Sequence, residues 1–151
     1  MARPNYLDAV PGRVLVVMAH PDDPEFTSAG TIARWTDAGA VAAYVIVTDG
    51  SKGSNDRTMT ADRLAAVRQR EQRAAAAHLG VGDIAFLGHP DGEIMPDIRL
   101  RHSIAREIRR YRPDVVITHD PSTYYFDAYI NHPDHRAAGQ AALEAVFPTA
   151  R

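Results

Sequence analysis

The chain has 151 residues, 45% hydrophobic and 24% charged, and a formal net charge of −2 from 17 basic and 19 acidic side chains. That size suits one ordinary domain with room for a core and a pocket, and the nearly even charge balance disfavours nucleic acid as a partner. There is no cysteine, which excludes disulfides, thiolate metal sites and cysteine nucleophiles. Residues 13–19 (RVLVVMA) form a nearly continuous apolar run, the pattern of a strand buried on both faces. Residues 27–38 read as a helix stopped at Gly39, residues 41–48 (VAAYVIVT) as a second strand, and residues 49–55 (DGSKGSN) as a flexible loop. Residues 60–79 read as a helix with Leu64, Val67, Glu71, Ala74, Ala75 and His78 near one stripe, ended at Gly80. A short third strand is expected at 84–87. A helix at 97–111 should face inward through Ile98, Ile104, Ile108 and Tyr111, and closes at Arg112-Pro113. Residues 114–119 (DVVITH) read as the fourth strand, and a long polar and aromatic loop, 120–131, leads into a last helix from about 132 to 147.

Four strand–helix alternations predict an α/β fold with a mostly parallel sheet, in a single domain over residues 1–151. Four strands make a small sheet for this class, so a C-terminal portion beyond Arg151 is expected. The open sheet edge invites pairing into a homo-oligomer. No apolar run approaches the ~20 residues of a membrane helix, and residues 1–11 carry no apolar signal core. The expectation is a cytoplasmic protein without a membrane partner.

In parallel sheets, ligands bind outside the carboxyl ends of the strands. Here strand 1 exits into His20-Pro21-Asp22-Asp23, strand 2 into Asp49, strand 3 into His89-Pro90-Asp91, and strand 4 into His119-Asp120. Neighbouring Asp22 and Asp23 point in different directions, so one can hold a cation while the other faces water or substrate; the competing reading is an Asp-rich turn that caps a helix. In Asn131-His132-Pro133-Asp134-His135, Pro133 suits the first turn of a helix with His132 as its cap, and His135 lies one turn on. The positive helix end favours neutral imidazole, the metal-binding form. The plainer alternative is a pair of surface histidines around a capping proline. Together the motifs offer His20, Asp23 and His135 as ligands. Two His and a carboxylate make a catalytic zinc set with an open position, and also the triad of ferrous oxygenases, so Fe2+ is compatible. Asp22 and His132 remain as an acid/base pair, which a hydrolase needs and an oxygenase does not. A dinucleotide site would need G-x-G-x-x-G after strand 1, where HPDDPEF stands.

These segments resemble the LmbE-like/PIG-L family of metal-dependent N-acetylglucosamine de-N-acetylases. The resemblance lies in AHPDDPEF at 19–26 and HPDHRAAG at 132–139, and in the order of Thr48-Asp49-Gly50, Arg68-Gln69-Arg70-Glu71, Phe86-Leu87-Gly88, Asp91-Gly92 and Asp120-Pro121 between them. It implies a Rossmann-like sheet with helices on both faces and a divalent metal, usually zinc. It implies hydrolysis of the acetamide of an amino-sugar conjugate to acetate and a free amine. By motif, His20, Asp23 and His135 would be ligands, Asp22 the general base, and His132 the electrostatic and acid partner, oriented by Asp134. The first motif departs from the commoner HPDDE by the insertion of Pro24, and Glu25 takes no metal role. The alternative function is a catalytically idle or incomplete sugar-binding module of the same fold.

Outside this set, Arg68 is a candidate for the substrate's polar aglycone, or else an i,i+3 partner of Glu71. Asp91 is a candidate acceptor for sugar hydroxyls, or else a plain Asp-Gly turn. His89 and His119 are expected at the pocket wall in supporting roles, and Asp49 as a brace for the first motif. Tyr124, Tyr125 and Tyr129 lie in the loop where a family tyrosine reaches the site.

Overall fold

The computed structural model describes residues 9–151; most of the N-terminal segment read for a signal core lies outside them. Strands β1 (Arg13–Met18), β2 (Val41–Thr48), β3 (Asp83–His89) and β4 (Val115–Thr118) form one sheet in the order β3-β2-β1-β4. All three pairings are parallel. The helices are α1 (Asp23–Thr27), α2 (Ala29–Asp37), α3 (Ala61–His78), α4 (Ile98–Tyr111) and α5 (Pro133–Glu144), the last running into a wider turn at Ala145–Thr149. No helix among the described residues is long and apolar enough to cross a membrane.

The two central strands are apolar at nearly every position because both faces are covered. Val14, Val16, Met18, Tyr44 and Ile46 pack with Ile32 and Trp35 of α2 and Ala76 of α3. The alternate residues, Leu15, Val17, Val45 and Val47, pack with Leu100 and Ile104 of α4 and with the alanines of α5. Helices therefore sit on both faces, and β1 and β2 deliver their last residues to the middle of one sheet edge.

Three elements differ from the sequence reading. The helix expected at 27–38 is split: α1 begins at Asp23, and Ser28, whose backbone is non-helical, separates it from α2. Ile98 is exposed, because it is the first residue after the Asp97 cap and lies at the rim of α4. The buried face of α3 is Leu64, Gln72 and Ala76, while Glu71 and His78 face outward. A polar Gln occupies the inner stripe, so apolar periodicity placed the stripe one residue away.

Close approach of α5 to the end of β4 depends on Gly139. A Cβ there would lie 2.3 Å from the carbonyl oxygen of His119, far inside van der Waals contact. The small side chains of HPDHRAAG let the helix start, with its two histidines, abut the strand ends.

Candidate metal centre and active site

Every strand end contributes to one cluster. β1 leads into His20, Pro21 and Asp22, and Asp23 opens α1. Asp23 is buried and receives imidazoles from three directions. Its Oδ2 lies 3.3 Å from His20 Nδ1 and 3.2 Å from His119 Nε2, and its Oδ1 lies 3.2 Å from His135 Nε2. The Asp23 carboxyl is held well below the usual carboxylate range: burial opposes ionisation, but the three imidazoles packed around it, His119, His135 and His20, outweigh that cost.

The partner on the far nitrogen of each imidazole fixes which nitrogen is free. His135 Nδ1 lies 3.1 Å from Asn131 Oδ1, an acceptor, so Nδ1 carries the proton and Nε2 presents a lone pair toward Asp23. His20 Nε2 faces two carboxylates, Asp91 Oδ1 at 3.2 Å and Asp134 Oδ2 at 3.3 Å, so Nε2 carries the proton and Nδ1 faces Asp23. Two lone pairs and a carboxylate oxygen then converge, and one ligand atom from each of His20, Asp23 and His135 lies within 4.8 Å of the others. Without a cation such a grouping is repulsive unless an imidazole takes up a proton; with one it is a complementary donor set. The residues therefore fit a divalent ion. His20, Asp91 and His132 form a second group of the same compactness. There His132 Nδ1 already accepts the Asp134 backbone N–H at 3.1 Å, so a neutral His132 has no lone pair left for an ion. His132 thus caps α5 through Nδ1 and carries its proton on Nε2.

The histidines titrate in opposite directions. Burial alone would lower His20, but the Asp23 hydrogen bond and the charges of Asp23, Asp91 and Asp134 raise it above its ordinary value. His132 is lowered by burial and by the neighbouring His20 and His135, so it is neutral at pH 7.

The Asp134 carboxylate does not reach His132. Its Oδ2 accepts the Gly92 N–H at 2.7 Å and faces His20, while Oδ1 is buried without a partner among the described residues. Its link to His132 runs through its own backbone N–H. Asp91 is buried and braces His20, and its Oδ2 accepts the Lys52 N–H at 3.0 Å. Asp49 braces the Asp91 loop, accepting the N–H groups of Ser51 and Asp91 through Oδ1. Arg68 pairs with Asp22, its Nη2 lying 2.7 Å from Oδ2, so the i,i+3 pairing with Glu71 is replaced by a link across to the first motif. Asp22 is half exposed on the wall of a cavity of about 390 Å³ that it shares with His20, Arg68, Asp91 and His132. A second cavity, of about 670 Å³, flanks Asp23 and His135 on the other side and is lined by Phe126 and Tyr129; Tyr124 and Tyr125 do not line it.

Sequence reasoning passed over two residues that orient this set. Asn131 is buried, donating from Nδ2 to the Thr123 carbonyl while its Oδ1 meets His135; its place as the first residue of the second motif was the available signal. Gln72 gave no signal, being a polar residue inside a helix stripe. His119 accepts the Ala19 N–H at 3.1 Å and stacks on His135 with ring centroids 4.2 Å apart.

The chain is 38% identical over 134 residues to the diacetylchitobiose deacetylase of Thermococcus kodakarensis, covering 89% of this chain and 49% of that protein. Its fold matches the N,N'-diacetylchitobiose deacetylase of Pyrococcus horikoshii with a TM-score of 0.85 at 35% identity, covering 90% of this chain and 49% of that one. It also matches GalB, the 4-carboxy-2-hydroxymuconate hydratase of Pseudomonas putida, with a TM-score of 0.76 at 27% identity, over 88% of this chain and 55% of that one. The chain thus spans about half the length of these relatives. The PIG-L family, described as GlcNAc-PI de-N-acetylase, matches over residues 15–146, and the chain belongs to it.

Proposed function

We propose that this chain carries the catalytic core of a zinc-dependent hydrolase that removes the acetyl group from an N-acetylglucosamine-type conjugate, yielding acetate and a free amine. The observation that carries the reading is the converging set His20, Asp23 and His135, with Asp22 and His132 facing the adjoining cavity. A hydratase shares the fold, so fold alone does not name the reaction; the diacetylchitobiose deacetylase at 38% identity supports an acetamido sugar as substrate.

A divalent ion in that set supplies Lewis acidity toward a carbonyl and lowers the pKa of water. The chain's own groups do the rest. Asp22 takes the proton of the attacking water, with Arg68 holding its Oδ2. His132 presents Nε2–H to the developing oxyanion, its ring fixed by the cap bond at Nδ1. Asp22 then returns the proton to the departing nitrogen. Arg68 and Asp91 line the same cavity and meet the polar parts of the conjugate.

The test is zinc content together with product formation. About one zinc per chain, lost in His135→Ala, with acetate released from an N-acetylated amino sugar, supports the reading. Zinc and sugar binding without acetate would identify an incomplete binding module, and failure to take up zinc would refute the donor set.

A further inference from the structure

Gln72 is 2% exposed on the inner face of α3, four residues after Arg68, and the chemistry above makes no use of it. Both ends of its amide are engaged. Its Oε1 accepts the Asp22 backbone N–H at 2.7 Å, and its Nε2 donates to Glu25 Oε1 at 2.8 Å. The orientation is forced, because a backbone N–H only donates and a carboxylate only accepts.

What the pair holds is an unusual backbone. Asp22 has φ 95° and ψ −25°, the left-handed region, and a residue other than glycine stays there only where its surroundings hold it. Asp22 is also the N-cap of α1, where an aspartate ordinarily turns its carboxylate back onto the first helical N–H groups. It makes no such bond; the carboxylate points out to Arg68 and the cavity instead.

We infer that Gln72 and Glu25 are positioning residues for Asp22: the amide of Gln72, oriented by Glu25, pins the Asp22 backbone in the conformation that frees its carboxylate for proton transfer. The inference rests on Asp22 acting as the base proposed above. It also gives Glu25 a task that does not involve a metal, even though it sits two residues from a ligand.

Three variants of the full chain test it, each loaded with zinc. Gln72→Met keeps the length of the side chain and removes both hydrogen bonds. Glu25→Leu removes the acceptor, and Glu25→Gln keeps one. Three quantities are read: steady-state deacetylation of N,N'-diacetylchitobiose, zinc affinity, and hydrogen exchange of the Asp22 amide by NMR. The expected result is a kcat about 10- to 100-fold lower in Gln72→Met, as for a misplaced reacting group, with KM and zinc affinity unchanged. Glu25→Leu should follow it and Glu25→Gln should stay near wild type. Exchange at the Asp22 amide should accelerate roughly tenfold or more in Gln72→Met, as for an amide that has lost its acceptor. A wild-type kcat in Gln72→Met, or a zinc affinity that falls in step with kcat, overturns the positioning role. If the wild-type chain releases no acetate, the proposed function fails separately, and the exchange measurement still decides: unchanged protection at Asp22 overturns the clamp, faster exchange upholds it.

Discussion

Arg68 grips the Asp22 turn at two points, donating from Nη2 to Asp22 Oδ2 at 2.7 Å and to the Pro21 carbonyl just before it. The link ties the middle of α3 to the loop after β1. Water reaches both side chains, which are 22% and 45% exposed, so the attraction itself is screened and the contribution lies in aim. Arg68→Ala is expected to lower kcat about 10-fold or more, the scale of a lost charged hydrogen bond. Arg68→Lys should recover only part, since a flexible ammonium is not held in the plane that aims both Nη2 hydrogens at these two oxygens. Steady-state kinetics at matched zinc content check this; equal kcat in Arg68→Ala would contradict it.

Asp134 supports His20, a ligand in the proposed zinc set, by taking its Nε2–H while anchored on the Gly92 N–H. Asp134→Asn leaves an amide that can satisfy Gly92 but no longer places a negative charge beside His20. Zinc affinity should fall roughly 10- to 100-fold, as for other outer partners of metal-bound histidines. Competition with a chromogenic chelator measures it, and an unchanged affinity would place the role of Asp134 elsewhere.

In the chain without a metal, His20 binds its proton more tightly than an ordinary histidine because Asp23, Asp91 and Asp134 surround it. A metal must displace that proton, so zinc affinity should fall as pH drops below neutral, and binding at pH 7 should release protons. For folding, the sign is that of a raised histidine. His20 stabilises the metal-free fold fully below its unfolded value near 6.5, and that contribution is lost as pH rises through the higher folded value. Calorimetric zinc titration in two buffers of different ionisation enthalpy reads the proton release directly; a heat independent of buffer would contradict it.

Gly139→Ala should destabilise the fold by about 1–3 kcal/mol or more, the cost of forcing an atom into a packed contact. The added Cβ meets a backbone carbonyl at 2.3 Å, which has no flexible end to swing away. Thermal unfolding should show a clear drop in Tm, and an unchanged Tm would mean α5 moves freely off β4.

Much of this was legible in the residues because two signals are strong. Buried parallel strands are apolar throughout, so β1 and β2 stood out; the strand ends then pointed to His20, Asp22 and Asp91 and the second motif to His132, and these four residues line one cavity. The donor geometry was less legible. Which nitrogen of His20 or His135 is free depends on Asp91, Asp134 and Asn131, which arrive from other elements. The inner stripe of α3 was misplaced because a buried Gln reads as surface in any hydrophobic pattern. Arg68 and Glu71 share a helix surface, and only the folded chain shows that Asp22 takes the arginine. The split at Ser28 carries no glycine or proline of its own, so nothing local announced it.

The most direct test compares acetate release from N,N'-diacetylchitobiose by the zinc-loaded chain and by Asp22→Asn at equal zinc content. Acetate is expected from the wild-type chain, with a loss of about 100-fold or more in Asp22→Asn, the scale of a missing general base. Equal rates in the two proteins would contradict the assignment of Asp22, and no acetate from either would contradict the deacetylase reading itself.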